Sequence, residues 1–134
     1  MDIRKATLDD LDMIAANDIW IGRDILQKKI ADGQVYAAYD KREFIGWLRY
    51  GMFWDNTPFM NMLFLLEQYR RKGFGRQLVS FWENDMRKNG HKLALTSSAQ
   101  TEYAQHFYNK LGYKAIGSFM LANEPLEVIL AKPI

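Results

Sequence analysis

The chain has 134 residues, 49% of them hydrophobic and 14% aromatic, which is enough apolar material for one folded domain. Its formal net charge of +2 is too small to produce the positive field of a protein that binds nucleic acid. It contains no cysteine, which excludes disulfides, thiolate metal sites and a cysteinyl acyl-enzyme.

The first third of the sequence predicts a short strand followed by two helices. Met1 to Lys5 alternates as an edge strand does, and Thr7 with Asp10 three residues later forms the pattern of a helix N-cap. The apolar spacing that follows predicts one helix from Leu8 and another over Arg23 to Ala31, with a bend between them. The acidic start of the chain and the lack of an apolar run of about 20 residues favour a cytoplasmic protein with no membrane partner.

The middle of the sequence predicts three strands and a long helix. Val35 to Tyr39 and Phe44 to Phe53 are rich in β-branched and aromatic residues and flank a polar turn, which indicates a hairpin. Phe59 to Leu66 is apolar at both alternating sets of positions, as expected of a central strand covered on each face. From Gly75 an apolar stripe at helical spacing continues to about Asn89.

The last third predicts a strand, a helix and two closing strands. These are Leu93 to Thr96, a stripe over Tyr103 to Leu111, then Tyr113 to Met120 and Leu126 to Ala131. The order β-α-α-β-β-β-α-β-α-β-β predicts a single α/β domain over residues 1–134, with a mixed sheet and helices on both faces. Exposed edge strands in such a sheet are compatible with a homodimer.

The segment between the central strand and the third helix carries the main functional signal. It contains the cations Arg70, Arg71, Lys72 and Arg76, with Gly73, Phe74 and Gly75 between them. The first amides of a helix have no intrahelical partner and attract anions, and glycines let the backbone approach a ligand closely. The segment therefore predicts a diphosphate site, and the alternative is a solvated basic turn. Its spacing fits neither the dinucleotide nor the triphosphate glycine motif, so a different phosphate-bearing ligand is required.

Two motifs resemble the signatures of the GNAT N-acetyltransferase superfamily. Arg70, Gly73 and Gly75 match the first, which is Arg or Gln, two residues, Gly, one residue, then Gly or Ala. The second is matched by Ala104, Phe107, Tyr108, Leu111, Gly112 and Tyr113. The motifs stand in the family's order, separated by one strand, and the predicted element order resembles that fold along essentially the whole chain. The resemblance implies a GNAT-like, mostly antiparallel sheet.

The resemblance also implies an acyl-CoA site. In this family the loop amides bind the coenzyme A diphosphate, and the backbone of the preceding strand binds the pantetheine arm. Carried over, these roles fall on Leu65, Arg70, Arg71, Lys72, Gly73, Phe74, Gly75 and Arg76. The strand is expected to diverge from Leu93 to Thr96, and the freed amide of Leu65 to polarise the thioester carbonyl. Acetyl-CoA is thus the expected acyl donor, with no metal ion.

Tyr108 occupies the position that often protonates the departing thiolate in this family. A phenol with the ordinary pKa near 10 is neutral at pH 7 and is a suitable donor to a thiol that titrates around 8.5. The alternative is a core tyrosine with a satisfied hydroxyl.

Thr101 stands where the family often has Asn, and helical spacing would place it on the same face as Tyr108, toward the coenzyme.

The general base and the acceptor are less well defined. Many relatives have a glutamate on the central strand, which this sequence lacks, and Asp55 and Glu127 are weak substitutes.

Family architecture places the acceptor between Trp20 to Arg23 and Met120 to Pro125. Four nearby aromatic residues would either pack the core or receive a cationic or apolar group; they are Trp47, Tyr50, Phe53 and Trp54.

The sequence therefore predicts an enzyme that moves an acetyl group from acetyl-CoA to a primary amine of a small molecule or peptide, by direct transfer in a ternary complex. The missing strand glutamate and Thr101 suggest an alternative of another class, a catalytically silent acyl-CoA-binding sensor or interaction module, whereas the presence of Tyr108 favours the enzyme. A third hypothesis, a nucleotide-binding regulator, requires that ATP compete with coenzyme A for the basic loop.

Overall fold

The computed structural model describes all residues from Met1 to Ile134, in seven strands and four α-helices. The strands are β1 Asp2–Lys5, β2 Val35–Asp40, β3 Glu43–Phe53, β4 Thr57–Leu65, β5 Leu93–Ala99, β6 Lys114–Phe119 and β7 Glu127–Pro133. The helices are α1 Leu11–Asn17, α2 Arg23–Ala31, α3 Phe74–Lys88 and α4 Ala104–Lys110, with single 3-10 turns at Leu8–Asp10 and Glu67–Tyr69. None of the helices combines the length and the apolar character needed to cross a bilayer.

The strands form one seven-stranded sheet in the order β1-β2-β3-β4-β5-β7-β6. Four neighbouring pairs, β1/β2, β2/β3, β5/β7 and β6/β7, are antiparallel, and β4/β5 is parallel. The predicted α/β class, element order and mostly antiparallel mixed sheet are therefore confirmed. The strand β4 is fourth of the seven but less covered than its apolar pattern predicts, because Asn61 is exposed and Met62 to Leu65 are only half-buried.

The chain forms two compact units, the first of which comprises Met1–Tyr50 and Met62–Trp82. Its core includes residues at helical spacing from α1 and α2, packed with strand residues: Leu11, Ile14, Leu26, Ile30, Val35, Ala37 and Trp47, each at most 6% exposed. A capping box between Thr7 and Asp10 starts the helical segment, as the sequence predicts. Burial of the apolar stripe, rather than intrinsic propensity, stabilises helices this short.

Close approach of β3 and β4 in this unit depends on Gly46. A Cβ atom placed there would lie 2.2 Å from the carbonyl oxygen of Phe64 and 3.0 Å from the Cα of Leu65. Both are backbone atoms, so a side chain at this position forces the strands apart.

We expect Gly46→Ala to lower the free energy of unfolding by about 3 kcal/mol, at the upper end of the usual cost of overpacking. Urea denaturation measures the change. Gly117→Ala in β6 is the matched control, since a Cβ there meets no atom within 4 Å, and it should shift stability by no more than about 0.5 kcal/mol. Equal urea midpoints for the two variants would contradict the conclusion that Gly46 is needed for the close approach of β3 and β4.

The second unit comprises Gly51–Asn61 and Glu83–Ile134. A buried polar network ties α3 to the closing strands: the Tyr113 hydroxyl donates to Glu83 Oε2 at 2.7 Å, and Lys132 Nζ donates to Glu83 Oε1 at 3.0 Å. Because both carboxylate oxygens are engaged, the buried charge of Glu83 is compensated. All six residues of β6 are exposed at the sheet edge, and a homodimer through an edge strand stays a prediction.

Candidate active site

The basic turn before α3 presents backbone amides at the start of a 15-residue helix. Its chain reversal uses left-handed backbone conformations at Arg71 (φ 63°) and Gly73 (φ 85°), and both residues are exposed. The first helical bond of this segment runs from Gln77 N to Gly73 O at 3.2 Å. The amides of residues 73–76 precede it and have no intrahelical acceptor, so they can bind an anion at the positive end of the helix dipole.

Side chains on either side hold this turn in place. Arg70 Nε donates to Leu65 O at 2.8 Å, and its guanidinium lies 5.0 Å from the centre of the Phe64 ring. The rings of Tyr69 and Phe74, one before and one after the turn, are 6.3 Å apart. Arg70 therefore fastens the turn to the end of β4, and a direct phosphate contact from it stays a prediction.

The remaining predicted loop residues suit a polyanionic ligand. Arg71, Lys72 and Arg76 are exposed, and Gly75 is buried in the first turn of α3. Three exposed cations beside a set of amide donors match the charge and hydrogen-bonding needs of a diphosphate. The donor set of this turn therefore fits a diphosphate group.

The amide of Leu65 faces away from β3. Leu66 N donates to Ile45 O at 2.8 Å, and the Phe64 carbonyl lies against Gly46, so the residues on either side of Leu65 both point toward β3. Since successive residues in a strand turn their backbone groups to opposite edges, the backbone groups of Leu65 point to the other edge of β4. This orientation agrees with the role that the resemblance implies for the Leu65 amide, which is to donate a hydrogen bond to the thioester carbonyl.

The pairing of β4 with β5 covers only two residue pairs. These are Phe59 with Leu95 and Met60 with Thr96, in parallel register. The predicted divergence of the strands beyond this point stays a prediction.

Tyr108 is buried in α4, with 7% of its surface exposed. Its ring meets those of Phe107 and Tyr113 edge-on, at 5.3 and 5.9 Å. Burial raises the pKa of Tyr108 to about 12, and the nearby carboxylate of Glu102 adds to the rise. The phenol is therefore neutral at pH 7 and is a weaker acid than an unperturbed tyrosine.

A second buried phenol behaves in the same way. Burial raises the pKa of Tyr113, and the charge of Glu83 raises it further. Lys29 shifts in the opposite direction, because burial lowers the pKa of its ammonium group. Its contribution to stability therefore rises with pH, whereas that of the phenols falls.

We expect the free energy of unfolding to fall as the pH rises from about 10 to 12. The phenols of Tyr108 and Tyr113 lose their protons near pH 10 in the unfolded chain and at higher pH in the folded one, so alkali favours unfolding; Tyr108 alone contributes about 3 kcal/mol. Denaturant titrations at pH 9, 10 and 11 measure the decline, and Tyr113→Phe should make it shallower. A constant stability up to pH 11 would contradict the burial of these phenols.

Thr101 does not lie on α4. It is exposed in a turn, and the helix begins three residues later at Ala104. The turn is held by Glu102 N donating to Ala99 O at 2.9 Å and by Gln105 Nε2 donating to Gln100 O at 2.7 Å. The expected alignment of Thr101 with Tyr108 on one helical face is therefore wrong, and a contact of Thr101 with the coenzyme stays a prediction.

The candidate bases are placed as follows. Asp55 lies in a left-handed turn with φ 63°. Glu127 begins β7, where it pairs with Ala99 and Phe119. These positions do not single out a general base, which remains unassigned.

Comparison with known families decides the classification. The sequence profile of the acetyltransferase (GNAT) family matches residues 6–113, which include both motifs. The chain belongs to this family. By class it is therefore an acyl-CoA-dependent N-acetyltransferase. None of the curated proteins compared with the chain matches it significantly in sequence.

Solved structures of other acetyltransferases share the fold of this GNAT protein. A GNAT acetyltransferase from Bacillus cereus ATCC 10987 is 24% identical, with a TM-score of 0.82 over 98% of this chain and 96% of the other. The PaiA N-acetyltransferase from Thermoplasma acidophilum, in complex with coenzyme A, is 19% identical, with a TM-score of 0.81 over 99% and 98%. Ard1 from Thermoplasma volcanium is 12% identical, with a TM-score of 0.86 over 99% and 97%.

The segment between α1 and α2 of the acetyltransferase exposes two large apolar side chains, those of Ile19 (82% exposed) and Trp20 (77%). It is anchored by Asp18, which is 3% exposed and accepts hydrogen bonds from Trp20 N at 3.2 Å and Arg49 Nε at 2.7 Å. The sequence analysis missed this buried ion pair. Its one signal is Arg49 itself, a single charge inside an apolar strand.

The loop between β6 and β7 also exposes apolar groups, because Met120 is 88% and Leu121 52% exposed. Each of the two segments that the resemblance assigns to the acceptor thus presents an apolar surface.

The aromatic group of the hairpin divides into two pairs. Trp47 and Tyr50 are buried, at 0% and 6% exposure, so the packing interpretation is confirmed for them. Phe53 and Trp54 line a cavity of about 280 Å³ together with Phe59, Leu95, Ile116 and Phe119. The sequence shows the aromatic residues but not which of them open onto a cavity.

Proposed function

We propose that this acetyltransferase moves an acetyl group from acetyl-CoA to a primary amine of a small molecule or peptide, directly and within a ternary complex. The basic turn before α3 carries the proposal, because it combines amide donors without intrahelical acceptors with exposed cations at Arg71, Lys72 and Arg76. The related PaiA N-acetyltransferase structure, in complex with coenzyme A, supports this choice of ligand. Acetyl-CoA supplies the acetyl group as an activated thioester.

The reaction is balanced without a covalent acyl-enzyme. The amine nitrogen forms a bond to the acetyl carbon, the carbon–sulfur bond breaks, the nitrogen releases one proton and the sulfur gains one. The chain has no cysteine to hold the acetyl group, which favours direct transfer.

Each group of the chain has a separate task in this reaction. The amides of residues 73–76 hold the diphosphate, and the Leu65 amide donates to the thioester oxygen as negative charge develops there. The neutral phenol of Tyr108 donates its proton to the departing sulfur.

The acceptor is an amine that carries an apolar group. The exposed apolar side chains of Ile19 and Trp20 in the first unit support this choice, since surfaces of this kind commonly bind ligands. The amine nitrogen must lose a proton, and an acceptor that is partly deprotonated at the working pH supplies its own free base.

Thiol release provides the test. The protein is mixed with acetyl-CoA and a panel of amines, amino acids and peptides, and free thiol is followed with a chromogenic reagent. The proposal predicts release that depends on one class of amine and is fastest for members with an apolar group. Tight binding of coenzyme A without thiol release from any member would instead favour the silent sensor, and displacement of coenzyme A by ATP would favour the nucleotide-binding regulator.

A further inference from the structure

The carboxylate of Asp18, just after α1, accepts four hydrogen bonds from three residues. Trp20 N at 3.2 Å and Arg49 Nη2 at 3.3 Å donate to Oδ1. Arg49 Nε at 2.7 Å and Trp47 Nε1 at 3.3 Å donate to Oδ2. Asp18, Arg49 and Trp47 are 3%, 6% and 0% exposed. An apolar pair of the same size is often as stable as a buried ion pair, so what this pair supplies is a fixed direction for each hydrogen bond.

These hydrogen bonds hold an exposed segment in place. The two residues that follow Asp18 are Ile19 and Trp20, which are 82% and 77% exposed. Burying a large apolar side chain lowers the free energy, so a freely moving segment would turn these groups toward the nearest apolar surface. The bond from Trp20 N to Asp18 Oδ1 closes a local turn, and Arg49 holds the same carboxylate from β3. The turn therefore keeps the two side chains in the solvent.

The same carboxylate is connected to the end of β4. The ring of Trp47, which donates to Asp18, stacks on the ring of Phe64 at 4.7 Å. The Phe64 ring lies 5.0 Å from the guanidinium of Arg70, and Arg70 Nε donates to Leu65 O. All of these residues belong to the first unit. One series of contacts thus joins the anchor of the exposed segment to the residue whose amide is proposed to bind the thioester.

We propose that Asp18 and Arg49 are positioning residues, which keep the Trp20 ring exposed so that it receives the apolar group of the acceptor amine. The inference rests on the proposed function. An indole ring offers a wide apolar face that also attracts cations, which suits an amine with an aromatic or aliphatic group near its nitrogen. Arg49 is linked to Trp20 through the Asp18 carboxylate, so its loss should weaken the binding of the acceptor and not that of acetyl-CoA.

The first test measures the exposure of the Trp20 ring in the free protein. Tryptophans are replaced by 5-fluorotryptophan, and the change of each ¹⁹F resonance between H₂O and D₂O reports how far its ring is exposed. The Trp20 resonance is the one that is absent in Trp20→Phe. We expect its solvent isotope shift to fall to about half in Arg49→Met, because the released segment turns inward. Trp54, which is also 77% exposed, is the internal control and should not change.

Two further variants complete this test. Arg4→Met removes another arginine–aspartate pair of the first unit, in which Arg4 donates to both oxygens of Asp10 at 2.8 and 3.2 Å, and it should leave the Trp20 shift unchanged. If Arg49→Met does not fold because Asp18 is left buried without its partner, Asp18→Leu/Arg49→Met removes both charges and gives the same comparison.

The second test measures the KM for the fastest amine of the thiol-release panel. We expect Arg49→Met to raise this KM about tenfold, while the KM for acetyl-CoA changes less than about twofold. In a Trp20→Ala background the same substitution should raise the amine KM less than about twofold, because the ring that it positions is already absent. A role in stability alone would give the same factor in both backgrounds.

The outcomes separate this inference from the proposed function. An unchanged isotope shift at Trp20 overturns the inference, whatever the activity, and so does an equal rise in the amine KM with and without the Trp20 ring. A reduced isotope shift in a protein whose wild type releases no thiol supports the anchoring of the segment by Asp18 and Arg49, and it overturns the proposed function instead.

Discussion

Tyr108→Phe is expected to lower kcat by about 100- to 1,000-fold, the lower part of the range for loss of a general acid, while the affinity for coenzyme A changes less than about twofold. The ring contacts of Tyr108 with Phe107 and Tyr113 do not involve its hydroxyl oxygen, so phenylalanine keeps the packing of α4. Steady-state kinetics by thiol release measure kcat, and isothermal titration measures coenzyme binding. The two together separate a chemical role from a binding role.

Tyr103→Phe is the matched control for this variant. Tyr103 is 81% exposed and lies one residue before α4, so loss of its hydroxyl should leave kcat unchanged. Wild-type turnover in Tyr108→Phe would show that the phenol is only a packed core group. A loss of coenzyme binding equal to the loss of rate would place its role in binding.

Gly73→Asp is expected to weaken coenzyme A binding by about 10- to 100-fold. Gly73 is exposed and a Cβ there meets no atom within 4 Å, so the aspartate fits without a clash, although the positive φ costs some stability. The new carboxylate lies beside the amides proposed to hold the diphosphate, and each 1.4 kcal/mol of charge repulsion lowers affinity tenfold. Isothermal titration at low and high salt measures the loss, which should shrink as salt screens the charges.

Two controls isolate the charge in this experiment. Gly73→Asn has nearly the same shape and a similar tolerance of positive φ, and it should bind coenzyme A close to wild-type strength. Gly90→Asp introduces the same carboxylate at another positive-φ glycine, just beyond the C-terminus of α3, and should leave binding unchanged. Equal affinity of Gly73→Asp and Gly73→Asn would contradict a diphosphate at this turn.

Most of the fold follows from local sequence patterns. The helical spacing of apolar residues predicts α2 at Arg23–Ala31, and the structure confirms these bounds. The same spacing predicts that α3 begins at Gly75, one residue after its observed start at Phe74. The exposure of β4 could not be predicted in this way. An apolar strand at the centre of a sheet has the same pattern whether its neighbours cover it fully or leave half of its surface open.

The parts of the candidate site that a sequence motif identifies could be predicted. The side-chain contacts and the burial of those residues could not, because they depend on tertiary structure. Arg70 and Gly73 identify the basic turn, but the bond from Arg70 to Leu65 O depends on where the chain folds back. The motif also locates Tyr108, whereas its raised pKa depends on burial. The burial of Asp18 could not be predicted from its own neighbours in the sequence, because its partner Arg49 is distant in the chain.

The proposed binding of coenzyme A depends most on the main-chain nitrogens at the start of α3. A crystal structure of the protein with coenzyme A tests them most directly. We predict diphosphate oxygens within about 3 Å of the amide nitrogens of residues 73–76, with Arg71, Lys72 or Arg76 close by. A diphosphate bound elsewhere on the protein, with this turn unchanged and in contact with solvent alone, would contradict the account.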